Sequence, residues 1–121
     1  MFIFTDFQSD NTLGQSVCAE YREAARIRGS AFIPITLTCA VEENVRRAAS
    51  EERSSISTHK LTDPKIVADI SKRCTPYTVD VPEKLIIDTT LIEPDDVAAK
   101  IAAHVNGYLG FVRVRESIGK L

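Results

Sequence analysis

Several features that would assign this 121-residue chain to a particular class of protein are missing or scarce. Tryptophan is absent, there are only five glycines, and no apolar run approaches the roughly 18–20 residues that span a bilayer. The three cysteines are odd in number and widely spaced, with no CxxC pair, so the sequence predicts neither a structural zinc site nor a disulfide framework. We expect Cys18, Cys39 and Cys74 to be reduced and mostly buried.

A large charge of either sign is also missing. The chain has 15 basic and 17 acidic residues, a net charge of -2, and neither a basic patch nor a charged tail. This balance argues against binding to nucleic acid or to an anionic membrane surface. The first residues have no basic segment of the kind that opens a secretion signal, so we expect a cytoplasmic protein.

The apolar pattern that is present alternates between strand-like and helix-like segments. Apolar runs at residues 1–5, 31–37 and 85–88 predict strands, although Pro34 suits an edge or a bulge better than a central strand. Helical patterns follow residues 9–12 and end at Gly29, begin near Val41, follow Asp63-Pro64, and follow Glu93-Pro94 up to Gly107. This order predicts an α/β fold with a parallel sheet and flanking helices. Residues 106–121 fit less well and are interpreted either as an edge strand or as a loose tail.

Two acidic residues lie where a parallel sheet gathers ligands, at the carboxyl ends of strands. Asp6 follows the first apolar run and Asp88 follows the third. An acid in this position can hold Mg²⁺ beside a phosphate. A strand-terminal Asp more often caps the following turn, and from the residues alone we favour that role for both.

A polar stretch at residues 51–60 is bracketed by cations that could close over phosphate groups, namely Arg46, Arg47, Arg53 and Lys60. Four nearby glutamates balance them, so a solvated helix face is the simpler interpretation. His104 lies one helical turn beyond Ile101 and is interpreted as a half-buried packing residue.

Seven segments taken in chain order carry a resemblance. They are FIFTD (2–6), ARIRG (25–29), FIPITL (32–37), EENVRR (42–47), ER (52–53), KLTDP (60–64) and LIIDTT (85–90). The series resembles the C-terminal two-thirds of small P-loop kinases, the ATP-binding proteins grouped with gluconate, shikimate and chloramphenicol-type phosphotransferases. It covers about residues 1–105.

The family's phosphate-binding loop is missing from this sequence. A GxxxxGK[ST] motif cradles the phosphates in P-loop proteins, and none of the five glycines here belongs to one. The resemblance therefore implies a P-loop NTPase-like sheet that lacks its first strand and its phosphate-binding loop. That strand would lie between residues 2–5 and residues 31–37, so these two segments either leave a gap or pair directly. Such an incomplete sheet suggests a fragment, or a remnant that forms a homodimer or binds another partner.

The resemblance also implies roles for individual residues. Asp6 matches the acid near Mg²⁺ and the acceptor. Arg53 matches the lid arginine that reaches the transferred phosphoryl group, with Arg46 or Arg47, and Lys60, assisting it. Thr89 and Thr90 match the loop that passes the adenine of ATP. The implied organisation is an incomplete kinase-like domain over residues 1–105, with a lid at about residues 50–62 and a tail at residues 106–121.

The implied function is that of the C-terminal portion of an ATP-dependent kinase of a small-molecule acceptor. We expect this chain alone to be inactive, since positioning and electrostatics supply nearly all of phosphoryl-transfer catalysis. Two alternatives stay open. One is a non-catalytic, degenerate P-loop domain that acts as an interaction or self-associating module, and the other is an unrelated small α/β domain.

Overall fold

A computed structural model describes residues 1–50 and 61–119, and it describes side chains as far as residue 110. Four helices and two strands lie in these ranges. Their bounds are α1 (Thr12–Arg28), β1 (Ile35–Thr38), α2 (Val41–Ala48), α3 (Pro64–Arg73), β2 (Leu85–Asp88) and α4 (Pro94–Gly119). No helix in this part of the chain is both long enough and apolar enough to cross a membrane.

The two strands form a small parallel sheet. Their register runs from Ile35 opposite Leu85 to Thr38 opposite Asp88. Parallel neighbours require a crossover connection, and here the connection contains α2 and α3. These two helices pack against each other, and the Asn44 side chain donates to Ser71 Oγ at 2.8 Å. The predicted α/β character, with a parallel sheet and flanking helices, is thus confirmed at this coarse level.

The helix boundaries follow from local capping. Asn11 caps α1 by accepting a hydrogen bond from the Gly14 N–H at 2.8 Å, and Gly29 ends the helix with φ of 71°. That left-handed conformation strongly favours glycine. Asp63 caps α3 through its carboxylate, with Pro64 in the first turn where no N–H is required. The sequence signals for these boundaries are confirmed.

Pro34 lies immediately before β1 rather than inside it. Its carbonyl accepts from the Leu85 N–H at 3.0 Å, so it contributes the one backbone group that proline can contribute to a sheet. The expected conflict between this proline and a strand therefore does not arise.

Residues 1–5 do not form the predicted strand, and they pair neither with β1 nor with β2. Residues 1–7, here called the N-terminal arm, lie beside α1 instead. The Arg28 guanidinium is 4.4 Å from the Phe2 ring centre, and the rings of Phe4 and Tyr21 are 5.6 Å apart. An apolar β-prone run becomes a strand only where a neighbour pairs with it, and this one lacks such a neighbour.

The end of α4 also differs from the prediction. The helix continues past Gly107 as far as Gly119, so residues 106–119 are neither an edge strand nor a loose tail. Two contacts to Glu83 hold the helix on either side of the expected end. Before it, His104 Nε2 lies 2.7 Å from the Glu83 carbonyl, and beyond it the Tyr108 hydroxyl donates to the Glu83 carboxylate at 2.8 Å. A glycine inside a helix costs only about 1 kcal/mol, which such contacts can offset. The half-buried packing role of His104 is confirmed.

The hydrophobic core among the described residues is small. Its buried apolar members lie on or beside the sheet and on α2, α3 and α4: Ala48, Val67, Val79, Val81, Ile87 and Val97. The three cysteines are free and half-buried, so they are less deeply buried than the sequence suggested. α1 is not among the elements that pack most closely, which are α2 with α3, β1 with β2, and α4 with β2.

Candidate functional site

The candidate site lies at the carboxyl ends of the two parallel strands. Thr38 ends β1 and Asp88 ends β2, and the Thr89-Thr90 loop follows directly. Thr89 is buried, and its N–H and hydroxyl both donate to the Thr38 carbonyl, at 2.8 and 2.9 Å. These bonds fix the loop against the neighbouring strand.

Arg47 joins this loop to α2. Its Nη1 donates to Thr89 Oγ1 at 3.1 Å, and its Nη2 donates to the carbonyls of Thr89 and Thr90 at 2.7 and 3.2 Å. Its Nε donates to the Glu43 carboxylate at 2.9 Å. A guanidinium has five N–H donors, and the side chain of Arg47 commits most of them to these partners. In this structure Arg47 therefore positions the loop.

Thr90 is held from two sides. Its hydroxyl and its N–H both donate to Asp88 Oδ1, at 2.6 and 3.0 Å, and its hydroxyl oxygen accepts from the Ala40 N–H at 2.9 Å. The bonds from Thr90 lower the pKa of Asp88, its side-chain bond having the largest effect. Asp88 thus caps the turn after its strand, which is the simpler of the two roles considered for it.

Glu43 is the shared partner of the two predicted arginines on α2. Arg46 pairs with both of its carboxylate oxygens, and Arg47 pairs with one. The hydrogen bond from Arg46, reinforced by Arg47, lowers the pKa of Glu43 to about 2. Arg46 remains largely exposed, so its pairing with Glu43 leaves its outer face open to solvent.

Asp6 makes a separate set of contacts. Its carboxylate accepts from the Gln8 side chain, from the Phe7 N–H at 2.8 Å and from the Tyr21 hydroxyl at 3.4 Å. The Gln8 bond and then the Phe7 bond lower its pKa. These partners belong to the N-terminal arm and α1, so the hydrogen bonds of Asp6 do not connect it to the Arg47–Thr89–Thr90 cluster.

Magnesium binding requires a set of oxygen donors, mainly carboxylates and phosphates. No group of three or more His, Cys, Asp or Glu side chains in residues 1–50 and 61–110 could hold a metal ion. Mg²⁺ is commonly bound through one or two carboxylates together with substrate phosphates. A single carboxylate such as Asp6 would therefore contribute to a Mg²⁺ site only alongside a bound nucleotide.

Of the seven predicted site residues, the structure brings three together. Arg47, Thr89 and Thr90 form one cluster, Arg46 adjoins it through Glu43, and Asp6 makes separate contacts. Arg53 and Lys60, together with most of the predicted lid, lie outside the described residues.

Sequence reasoning did not assign a role in the site to Glu43. The sequence did contain a signal for it. Glu43 lies three positions before Arg46 and four before Arg47, and side chains with these spacings are neighbours on a helix. The role of the Thr38 carbonyl had no signal in the sequence, since it is a backbone group selected by strand pairing.

Comparisons of the chain with protein-family models, with curated proteins and with solved structures found no match.

Proposed function

We propose that this chain is the nucleotide-binding and lid portion of an ATP-dependent small-molecule kinase, and that it is inactive without a phosphate-binding loop. One observation carries the proposal. Arg47 and Thr89-Thr90, which the resemblance assigns to the same nucleotide site, come from segments 42 positions apart and are in direct contact at the carboxyl edge of the parallel sheet. This edge is where open α/β sheets bind ligands.

The proposed role of each residue follows from the contacts that its side chain makes. Arg47 is a positioning residue that holds the Thr89-Thr90 loop beside the adenine site. Arg46 is exposed enough to approach a phosphate, with Arg53 and Lys60 of the lid closing over the transferred group. In this proposal ATP supplies the phosphoryl group, and Mg²⁺ would bind with its phosphates and Asp6.

The test uses the chain extended upstream by a strand, a GxxxxGK[ST] loop and a helix, assayed beside the chain as given. Titration calorimetry with Mg-ATP should show binding for the extended chain and none for the chain as given. Arg53→Ala should abolish ATP turnover by the extended chain without changing its circular dichroism spectrum. Arg73→Ala is the matched control, because Arg73 is exposed on α3 and pairs only with Asp69 among the described residues.

Two results would contradict the proposal. Turnover that survives Arg53→Ala would remove the lid assignment. A folded extended chain that does not bind Mg-ATP would remove the kinase assignment altogether, and it would favour the second candidate, a non-catalytic module of P-loop ancestry. The many exposed apolar side chains of the N-terminal arm favour that second candidate.

A further inference from the structure

The N-terminal arm carries the densest run of exposed large apolar side chains among the described residues. Five of its seven residues are large, apolar and exposed: Met1, Phe2, Ile3, Phe4 and Phe7. Phe4, for example, keeps 72% of its surface exposed despite its contact with Tyr21. A contiguous apolar surface of this kind on a soluble protein marks a site of association.

A second surface, the outer edge of β2, has no strand partner within residues 1–50 and 61–119. A groove of about 470 Å³ is lined by all four residues of that strand, and by Ile92, Lys100 and Ala103 from the following loop and α4. Successive strand residues point to opposite faces, so a groove that touches all four of them follows the strand's edge.

In the described part of the chain, the backbone of β2 has positions along this edge that no other strand pairs with. The N–H groups of Leu85 and Thr89 point to the opposite side, where they donate to the carbonyls of Pro34 and Thr38. In a parallel ladder the N–H groups of alternate residues face the same neighbour, so the N–H groups of Ile86 and Asp88 face the groove. Ile86 also presents a side chain that is 53% exposed. An extended apolar segment could add here as a third strand. Its main chain would form hydrogen bonds with the β2 backbone, and its apolar side chains would pack in the groove.

The arm matches this groove in length and chemistry. Residues 1–5 are a β-prone run, and five residues in a strand conformation are long enough to cover four strand residues at about 3.3 Å each. The groove is lined mainly by apolar residues, with one acidic residue, Asp88, and one basic residue, Lys100, so it suits an apolar segment.

The exposed side chains on both surfaces are large enough for an interface of modest size. Phe2, Ile3 and Phe4 of the arm are 66–78% exposed, and Ile86 of β2 is 53% exposed.

We propose that the N-terminal arm of one copy of this chain adds as a strand to the β2 edge of a second copy. Reciprocal exchange closes the pair as a two-fold dimer, so that both free arms and both free edges are covered. This inference stands whether or not the chain binds a nucleotide.

The test compares three single variants of the full chain by analytical ultracentrifugation over a range of micromolar concentrations. The wild type should sediment as a dimer. Phe4→Asp on the arm and Ile86→Asp on the edge should each raise the dimer dissociation constant at least tenfold. Ile66→Asp is the matched control, because Ile66 is 48% exposed on α3, outside the groove lining, and it should leave the dimer unchanged.

Hydrogen exchange on the wild type provides a readout that needs no variant. The amides of Ile86 and Asp88 should become more protected as the protein concentration rises, while those of the exposed face of α3 should not. A wild type that remains monomeric throughout would overturn the proposal. So would a dimer that both Phe4→Asp and Ile86→Asp leave intact, or one whose Ile86 and Asp88 amides gain no protection.

Discussion

Replacing Arg47 by alanine should destabilise the fold far more than the same change at its neighbour Arg46. Arg47 bonds the buried Thr89, and truncation would leave the Thr89 carbonyl without this donor. Hydrogen bonds to a charged group contribute about 1.5–3 kcal/mol. The Arg47 side chain is 35% exposed, and solvent screening reduces this figure, so we expect a loss of about 1–2 kcal/mol. Arg46 is 69% exposed and pairs with Glu43 on its own helix, where solvent screens the pair, so its loss should change the stability much less.

Urea unfolding followed by circular dichroism measures the difference. For a chain of this size the slope is about 1–1.5 kcal/mol per molar urea, so Arg47→Ala should lower the midpoint by about 1 M. Arg47→Lys should recover less than half of the lost stability. A lysine ammonium keeps the positive charge, but it lacks the planar guanidinium that bonds Glu43 and both threonines at once. Equal midpoints for Arg47→Ala and Arg46→Ala would refute the positioning role.

Three further predictions concern other contacts. Gly14→Ala should cost about 1–3 kcal/mol in urea unfolding, because its Cβ would lie 2.0 Å from the backbone oxygen of Ser9; an unchanged midpoint would contradict this close approach. Asp63→Ala should cost about 0.5–2 kcal/mol by removing the cap of α3, with Asp63→Asn as the control that keeps a capping side chain. The pKa of Asp88 is lowered in the fold, so its contribution to stability is present above its ordinary pKa and is lost as the pH falls through the folded value. Asp88→Asn should therefore flatten the fall in stability below about pH 4, and an unchanged slope would show that the bond from Thr90 contributes nothing.

The elements whose boundaries rest on local chemistry were predictable from the sequence. Asn11, Gly29 and the Asp63-Pro64 pair each act within a turn or two of their own position, so their effect does not depend on the rest of the fold. The short β2 strand was predictable for a related reason, since Leu85, Ile86 and Ile87 form an apolar run with the side chains that strands favour.

The elements that were not predictable depend on distant partners. The arm was expected to be a strand, but strand formation requires a neighbouring edge that the described chain does not place beside it. α4 was expected to end at Gly107, but Glu83, more than 20 positions earlier, supplies contacts to His104 and Tyr108. Within the candidate site, the sequence predicted roles for Arg47 and Thr89, but it did not predict their direct contact, which depends on the pairing of β1 with β2.

Urea unfolding at several protein concentrations separates the contribution of Arg47 from that of the proposed dimer. A protein whose dimer dissociates as it unfolds gains about 1.4 kcal/mol of stability for each tenfold rise in concentration, whereas a monomer gains none. The urea midpoint of the wild type should therefore rise with protein concentration, and Phe4→Asp should abolish that rise. Arg47→Ala should lower the midpoint by the same amount at every concentration, because Arg47 contacts neither the arm nor the groove lining in the described structure. A concentration dependence that disappears with Arg47→Ala instead would mean that the loop after β2, rather than the arm, holds the two copies together.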